Sequence, residues 1–138
     1  MLDERIAKFA PRKSGGVSYR ETGAGQALVL LHGIGSSSAS WLNQLETLKG
    51  YRLIAWDAPG TVIQIILQNA TAGDALCATR CMPSWIALLL KDVVIVGNSL
   101  GCLMAGAYAA AHPRRVRSMI LLSPAAGHAG DEASSATG

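Results

Sequence analysis

The stretch Val93-Val94-Ile95-Val96-Gly97-Asn98-Ser99-Leu100-Gly101-Cys102-Leu103-Met104-Ala105 constrains this 138-residue chain more than any other. Four β-branched apolar residues read as a buried strand, Gly-x-Ser-x-Gly follows at once, and the small-residue run from Leu103 to Ala111 reads as a helix packed closely on a sheet. Ser99 therefore falls on a sharp strand-to-helix turn. Gly97 and Gly101 remove the Cβ atoms that would clash at such a turn, and the helix N-terminus supplies N–H dipoles beside the hydroxyl.

The rest of the chain supplies the sheet that this turn needs. Ile6 to Ala10, a turn near Pro11 to Gly16, and the alternating Val17 to Thr22 read as an antiparallel hairpin at a sheet edge, closed by Gly23-Ala24-Gly25. Ala27 to Leu31 is a continuous apolar run, the mark of a strand buried on both faces, and it ends in His32-Gly33-Ile34-Gly35. Ser36 to Ser40 supplies a cap for a helix with Trp41, Leu45 and Leu48 on one face, closed by Gly50. Arg52 to Trp56 is a further strand ending in Asp57-Ala58-Pro59-Gly60, and Val116 to Leu122 is the last. Strands alternating with helices predict an α/β fold, a doubly wound and mostly parallel sheet. Half the residues are apolar, enough for one domain's core. Ala125 to Gly138 is Ala-, Gly- and Ser-rich without periodicity and reads as a disordered tail.

Charge and cysteine content exclude several function classes. Twelve basic and 9 acidic residues leave +3, and the densest basic cluster, Arg114, Arg115 and Arg117, reads as a solvated complement to a helix end. No nucleic-acid partner is expected. Cys77, Cys81 and Cys102 form neither a paired framework nor a metal-ligand set with histidine, so no metal and no cofactor are expected. The charged start Met1-Leu2-Asp3-Glu4-Arg5 has no apolar run behind it, and no run reaches the length of a membrane span. A cytoplasmic protein without membrane contact is the expectation; the oligomeric state is left open. A nucleotide site is disfavoured, because Gly23-Ala24-Gly25 precedes a strand rather than opening a helix, and no Lys follows the later glycines.

The motifs also occur in a telling order. Tyr19-Arg20-Glu21-Thr22-Gly23, Leu30-Leu31-His32-Gly33, Trp41, Asp57-Ala58-Pro59-Gly60, Gly97-Asn98-Ser99-Leu100-Gly101, His112-Pro113 and Leu121-Leu122-Ser123-Pro124 together resemble the N-terminal half of the α/β-hydrolase fold, over about two thirds of the chain. The resemblance implies that Gly97 to Gly101 is a nucleophile elbow with Ser99 as nucleophile. It implies an oxyanion hole from the backbone N–H groups of Leu100 and Ile34, with His32 and Gly33 supporting the loop, and a small-molecule carbonyl substrate. Gly-Asn-Ser-Leu-Gly is similar to the elbows of carbon–carbon bond hydrolases, enol-lactonases and small esterases. A serine there argues against the dehalogenase and epoxide-hydrolase branches, whose nucleophile is a carboxylate.

A serine hydroxyl needs a histidine base and an orienting acid, which in this family follow the nucleophile on loops beyond later strands. Among the histidines, His32 reads as a structural hydrogen-bonding residue and His112 as a solvated helix-end residue. His128 is followed by Asp131 in the wrong order for a triad. Asp57 reads as tying down its own turn, and Cys102 as a small buried hydrophobe. The expectation is thus a hydrolase whose acid and base are missing from these residues, inactive as given. The alternative is a non-catalytic fold remnant that binds a partner through its exposed sheet edge.

Residues 61–90 depart from the pattern. The family's Pro-Gly usually continues as aromatic-Gly-x-Ser and an amphipathic helix, whereas Thr61-Val62-Ile63-Gln64-Ile65-Ile66-Leu67 is strand-like and Pro83 interrupts the segment before Lys91. A one-base slip in the coding frame accounts for this: Gly60 to Ile65 written GGT ACG GTG ATT CAG AT reads TAC GGT GAT TCA GAT one base back, Tyr-Gly-Asp-Ser-Asp. The same register over Arg80 to Leu90 permits Ala-Met-His-Ala-Phe-Val-Asp-Arg-Leu-Ala-Ile, with apolar residues at helical spacing. A family-specific insertion is the other reading. The domain expectation is a partial hydrolase domain over 1–124, atypical over 61–90, and then the tail 125–138.

Overall fold

A computed structural model describes residues 2–14, 17–59 and 92–124. Its centre is a six-stranded sheet of β1 (Arg12–Ser14), β2 (Val17–Thr22), β3 (Gln26–Leu31), β4 (Tyr51–Trp56), β5 (Val93–Asn98) and β6 (Val116–Leu122), in spatial order β1-β2-β4-β3-β5-β6. The β1–β2 and β2–β4 pairs are antiparallel, and β4–β3, β3–β5 and β5–β6 are parallel. Around the sheet lie α1 (Leu2–Lys8), a 3-10 turn (Ser38–Trp41) running into α2 (Leu42–Thr47), and α3 (Leu100–Ala111).

The alternation of side chains along the central strands separates two cores. Val29 and Leu31 of β3, Ile54 and Trp56 of β4, and Val93 and Ile95 of β5 pack with Leu100, Met104, Ala105 and Tyr108 of α3. Leu28 and Leu30, Leu53 and Ala55, and Val96 face the other way, against Phe9, Trp41, Leu42 and Leu45. A strand with period two that is apolar at every position must be covered on both faces, and this one is. Each fully buried Leu or Ile contributes about 1.5–3 kcal/mol relative to exposure. The doubly wound, mostly parallel sheet is therefore present as expected.

Three local expectations are corrected. The arm over Ile6 to Ala10 is not a strand: α1 ends at Lys8, and the hairpin's first arm is the short β1. The guanidinium of Arg20, 8% exposed, stabilises that helix end by donating to the carbonyls of Phe9 (2.6 Å) and Ile6 (3.4 Å). Leu48 is 39% exposed rather than buried beside Trp41 and Leu45. The helix opens with a tighter 3-10 turn, which rotates later positions, and Leu48 is its C-cap with extended backbone. The third concerns one member of the basic cluster: Arg117, exposed and within the Val116–Leu122 strand as expected, donates to Gln26 Oε1 (2.8 Å) and pairs with Asp92 (3.4 Å) instead of complementing the helix end. Residues 61–90 and 125–138 lie outside the described residues.

Candidate active site

Ser99 stands between the last residue of β5 and the first of α3, with φ +53° and ψ −112°. A side-chain-bearing residue in that conformation costs on the order of 1–3 kcal/mol, so its surroundings must hold it. They do so through backbone bonds: Ser99 N–H donates to Leu122 O (2.9 Å), and Cys102 N–H donates to Ser99 O (3.0 Å). The side chain of Ser99 makes no capping bond to the helix it precedes. That removes the simplest structural role for a serine here, an N-cap.

The glycines explain how the turn closes. A Cβ on Gly97 would sit 2.6 Å from the Gly101 carbonyl oxygen, and one on Gly101 would run into the Leu31 carbonyl. At these two glycines α3 thus approaches β5 and β3 backbone to backbone. Gly33 approaches from the other side, where an added Cβ would lie 3.1 Å from Ser99 Cβ. The loop after β3 is thereby packed against the serine.

That loop is fixed at several points. Ala58 N–H donates to His32 Nε2 (2.9 Å), which makes Nε2 the acceptor and leaves Nδ1 to donate to Gly33 O (2.8 Å). Both ring nitrogens of His32 are thus engaged, and the residue is 2% exposed. Asp57 does more than tie its own turn: its Oδ1 accepts from Ser38 N–H (2.7 Å), across to the far end of the His32 loop. Ser38 is fully buried, and Arg20 Nε donates to its hydroxyl (3.0 Å). Ile34 lies between these anchors, its side chain 51% exposed and Gly35 after it at φ +68°. Leu100, as the first residue of α3, has no carbonyl one turn back to receive its N–H.

Other candidates are placed away from proton transfer. The Cys102 thiol lies 3.2 Å from Gly97 O and 3.3 Å from Leu122 O, and burial pushes its pKa up against the smaller opposing pull of backbone hydrogen bonds. His112 is the C-cap of α3 with its ring 4.7 Å from that of Tyr108, so it is packed rather than simply solvated. His128 and Asp131 lie outside the described residues. Among the described residues no three His, Cys, Asp or Glu converge as a metal site, and no helix is long and apolar enough to cross a membrane.

One element escaped the sequence reading. A cavity of about 220 Å³ is lined by Ser40, Trp41, Gln44, Leu122 and Asn98, the residue before Ser99 in sequence. Trp41 and Gln44 are three residues apart across the junction of the 3-10 turn and α2, a spacing that places side chains on one helix face. That spacing was the available signal, but Trp41 reads from sequence only as a core residue.

Residues 28–137 match the profile of the alpha/beta hydrolase family. The chain belongs to that family. It is 33% identical over 117 residues to the 2-hydroxy-6-oxononadienedioate/2-hydroxy-6-oxononatrienedioate hydrolase 2 of Pseudomonas putida, covering 80% of this chain and 41% of that protein. Over 111 residues it is 32% identical to the (E)-2-((N-methylformamido)methylene)succinate hydrolase of Acinetobacter baylyi, covering 75% of this chain and 40% of that one. The chain thus spans about two fifths of the length of the curated relatives it matches. Among solved structures it superposes on the N-acyl homoserine lactonase AidH with a TM-score of 0.62 at 28% identity, over 78% of this chain and 41% of that one. A Vigna radiata epoxide hydrolase mutant, TM-score 0.61 at 24% identity over 82% and 37% of the two chains, shares the fold.

Proposed function

We propose that this alpha/beta hydrolase is a serine hydrolase in which Ser99 is the nucleophile. The observation that carries the reading is the backbone of Ser99, held at positive φ with a hydroxyl that caps nothing. Strain of this kind persists where the surrounding structure over-determines it, and it lifts the hydroxyl clear of the sheet. In the reaction, Ser99 Oγ forms a bond to a substrate carbonyl carbon while the π electrons move onto the carbonyl oxygen. The backbone N–H groups of Leu100 and Ile34 stabilise that oxyanion, and Gly97, Gly101, His32 and Gly33 hold the two donors in place. Collapse of the oxyanion expels the leaving group, which takes up the serine proton from a base, and water then hydrolyses the acyl-enzyme.

The substrate is a small carbonyl compound, cleaved at an ester, lactone or carbon–carbon bond; the compounds in the relatives' names support this class. The base and its orienting acid lie outside the described residues, since His32 is occupied and His112 packs on Tyr108. The chain's buried free thiol, Cys102, fits a reducing, cytoplasmic setting.

Fluorophosphonate labelling followed by peptide mapping tests the nucleophile. Labelling is expected to be slow, to fall on Ser99 and to be absent from Ser99→Ala; label distributed over other serines contradicts the assignment, and rapid stoichiometric labelling contradicts the expected lack of a base. For residues 61–90, the coding DNA decides between the frame slip and an insertion. Codons that cannot encode Tyr-Gly-Asp-Ser one base back exclude the slip.

A second reading has one observation in its favour. Met119, Ile120, Leu121 and Leu122 of β6 are 41–47% exposed, an apolar edge available to a partner. Concentration-dependent self-association with no Ser99 labelling would favour a non-catalytic interaction module.

A further inference from the structure

Two adjacent residues after β4 reach both ends of the loop that carries Ile34. Ala58 N–H donates to His32 Nε2 (2.9 Å) at the start of the loop, and Asp57 Oδ1 accepts from Ser38 N–H (2.7 Å) at its end. Ser38 is held from another direction as well: it is 0% exposed, and its hydroxyl accepts from Arg20 Nε (3.0 Å), whose guanidinium also donates to the carbonyls of Ile6 and Phe9 at the end of α1. The start of the loop is registered on the serine, since a Cβ on Gly33 would lie 3.1 Å from Ser99 Cβ. Between these anchors little else fixes the chain. Ile34 is 51% exposed, Gly35 at φ +68° has nothing within 4 Å of where a Cβ would stand, and no acceptor among the described residues takes the Ile34 N–H. A short segment tied only at its ends takes its shape from where those ends are held, and site geometry is kept by such supporting hydrogen bonds.

We propose that Asp57 is a positioning residue for the Ile34 N–H: with Ala58 it clamps the loop at two points, and Arg20 seats Ser38 in the clamp. Asp57 touches no reacting atom in this account. Its carboxylate fixes where the loop ends relative to Ser99, and that sets where the Ile34 N–H points. A carboxylate that merely capped the 3-10 turn at Ser38 would add stability and leave Ile34 as it is. The clamp instead couples Asp57 to the order of Ile34 and, through it, to the oxyanion. The importance of this coupling for catalysis rests on the proposed hydrolase reading, whereas the ordering of the loop does not depend on Ser99 reactivity.

Backbone amide nitrogen relaxation of the 138-residue chain provides the test. In the parent the Ile34 N–H is expected to be as rigid as the strands, with an order parameter of about 0.85, and in Asp57→Ala to fall below about 0.6. Asp57→Asn keeps an accepting oxygen in the same place and is expected to restore the order. Ile95→Val, which loosens the core under α3 without touching the clamp, is expected to leave Ile34 rigid. Fluorophosphonate labelling of Ser99 is expected to slow roughly tenfold in Asp57→Ala and to recover in Asp57→Asn, because a displaced donor stabilises the oxyanion less. Should Asp57→Ala fail to fold, Asp57→Ser, polar but too short to reach the Ser38 N–H, takes its place. A flexible Ile34 in the parent, an Ile34 that stays rigid without the carboxylate, equal loss of order in the Ala and Asn variants or in Ile95→Val, or labelling of Asp57→Ala at the parent's rate would each overturn the proposal. A parent in which Ser99 takes up no label counts against the hydrolase reading alone, and the order of Ile34 then decides the clamp by itself.

Discussion

Strands β5 and β6 lie side by side in parallel register and are both apolar, yet their fates differ. In β5, Val93 and Ile95 are 0% and 1% exposed, whereas Met119 to Leu122 of β6 are 41–47% exposed. The difference is one of neighbours rather than composition. β5 has β3 on its other side, α3 over one face and the Trp41 layer toward the other, while β6 is the last strand of the described sheet. Hydrophobicity makes a strand suited to burial, and its place in the sheet decides whether burial is achieved.

The contrast is sharpest in a pair of truncations. Ile95→Ala removes buried methyl groups where both faces are packed and is expected to cost about 2–5 kcal/mol. Ile120→Ala, at 47% exposure, is expected to stay within about 0.5 kcal/mol. Urea denaturation of both variants checks this, and comparable losses would show that β6 is covered in solution.

Two glycines of α3 give a smaller contrast. Gly101→Ala pushes a Cβ into the Leu31 carbonyl and is expected to destabilise by about 1–3 kcal/mol. Gly106→Ala meets nothing within 4 Å and is expected to be neutral or stabilising by up to about 1 kcal/mol, through helix propensity. Thermal midpoints of the two variants should therefore move in opposite directions or differ plainly in size.

The smallest effect concerns Cys102, between the two strands' carbonyl ends. Its thiol pKa is raised in the fold above 9.0, chiefly by burial. The neutral thiol is thus favoured by folding, and its contribution to stability is full below the ordinary thiol value and lost as pH rises through the folded value. Denaturation midpoints should fall more steeply above about pH 9 in the parent than in Cys102→Ala, and iodoacetamide should modify the folded chain more slowly than the unfolded one.

Particular residues show what could be read without coordinates. The runs at Leu28 to Leu31 and Val93 to Val96 carry their burial in local pattern, and Gly97-x-Ser99-x-Gly101 carries its turn in local steric need. Both are visible within a few residues. The segment Ile6 to Ala10 is too short to show a period, and its helical end is stabilised by Arg20 from another strand. The same holds for Asp57, whose carboxylate reaches Ser38, and for the cavity shared by Trp41, Gln44 and Leu122. These features depend on residues distant in sequence or on what lines a cavity, which a one-dimensional pattern does not carry.

The central proposal is that the described residues supply the nucleophile and the oxyanion donors of a hydrolase site with no base among them, and the pH dependence of fluorophosphonate labelling at Ser99 tests it most directly. Without a base, hydroxide must activate the serine, so the rate is predicted to rise steadily with pH and show no plateau through neutrality. A rate that levels off with an inflection near about 6.5, the ordinary histidine value, and does so equally in His128→Ala, would reveal a histidine base among the described residues and contradict the account.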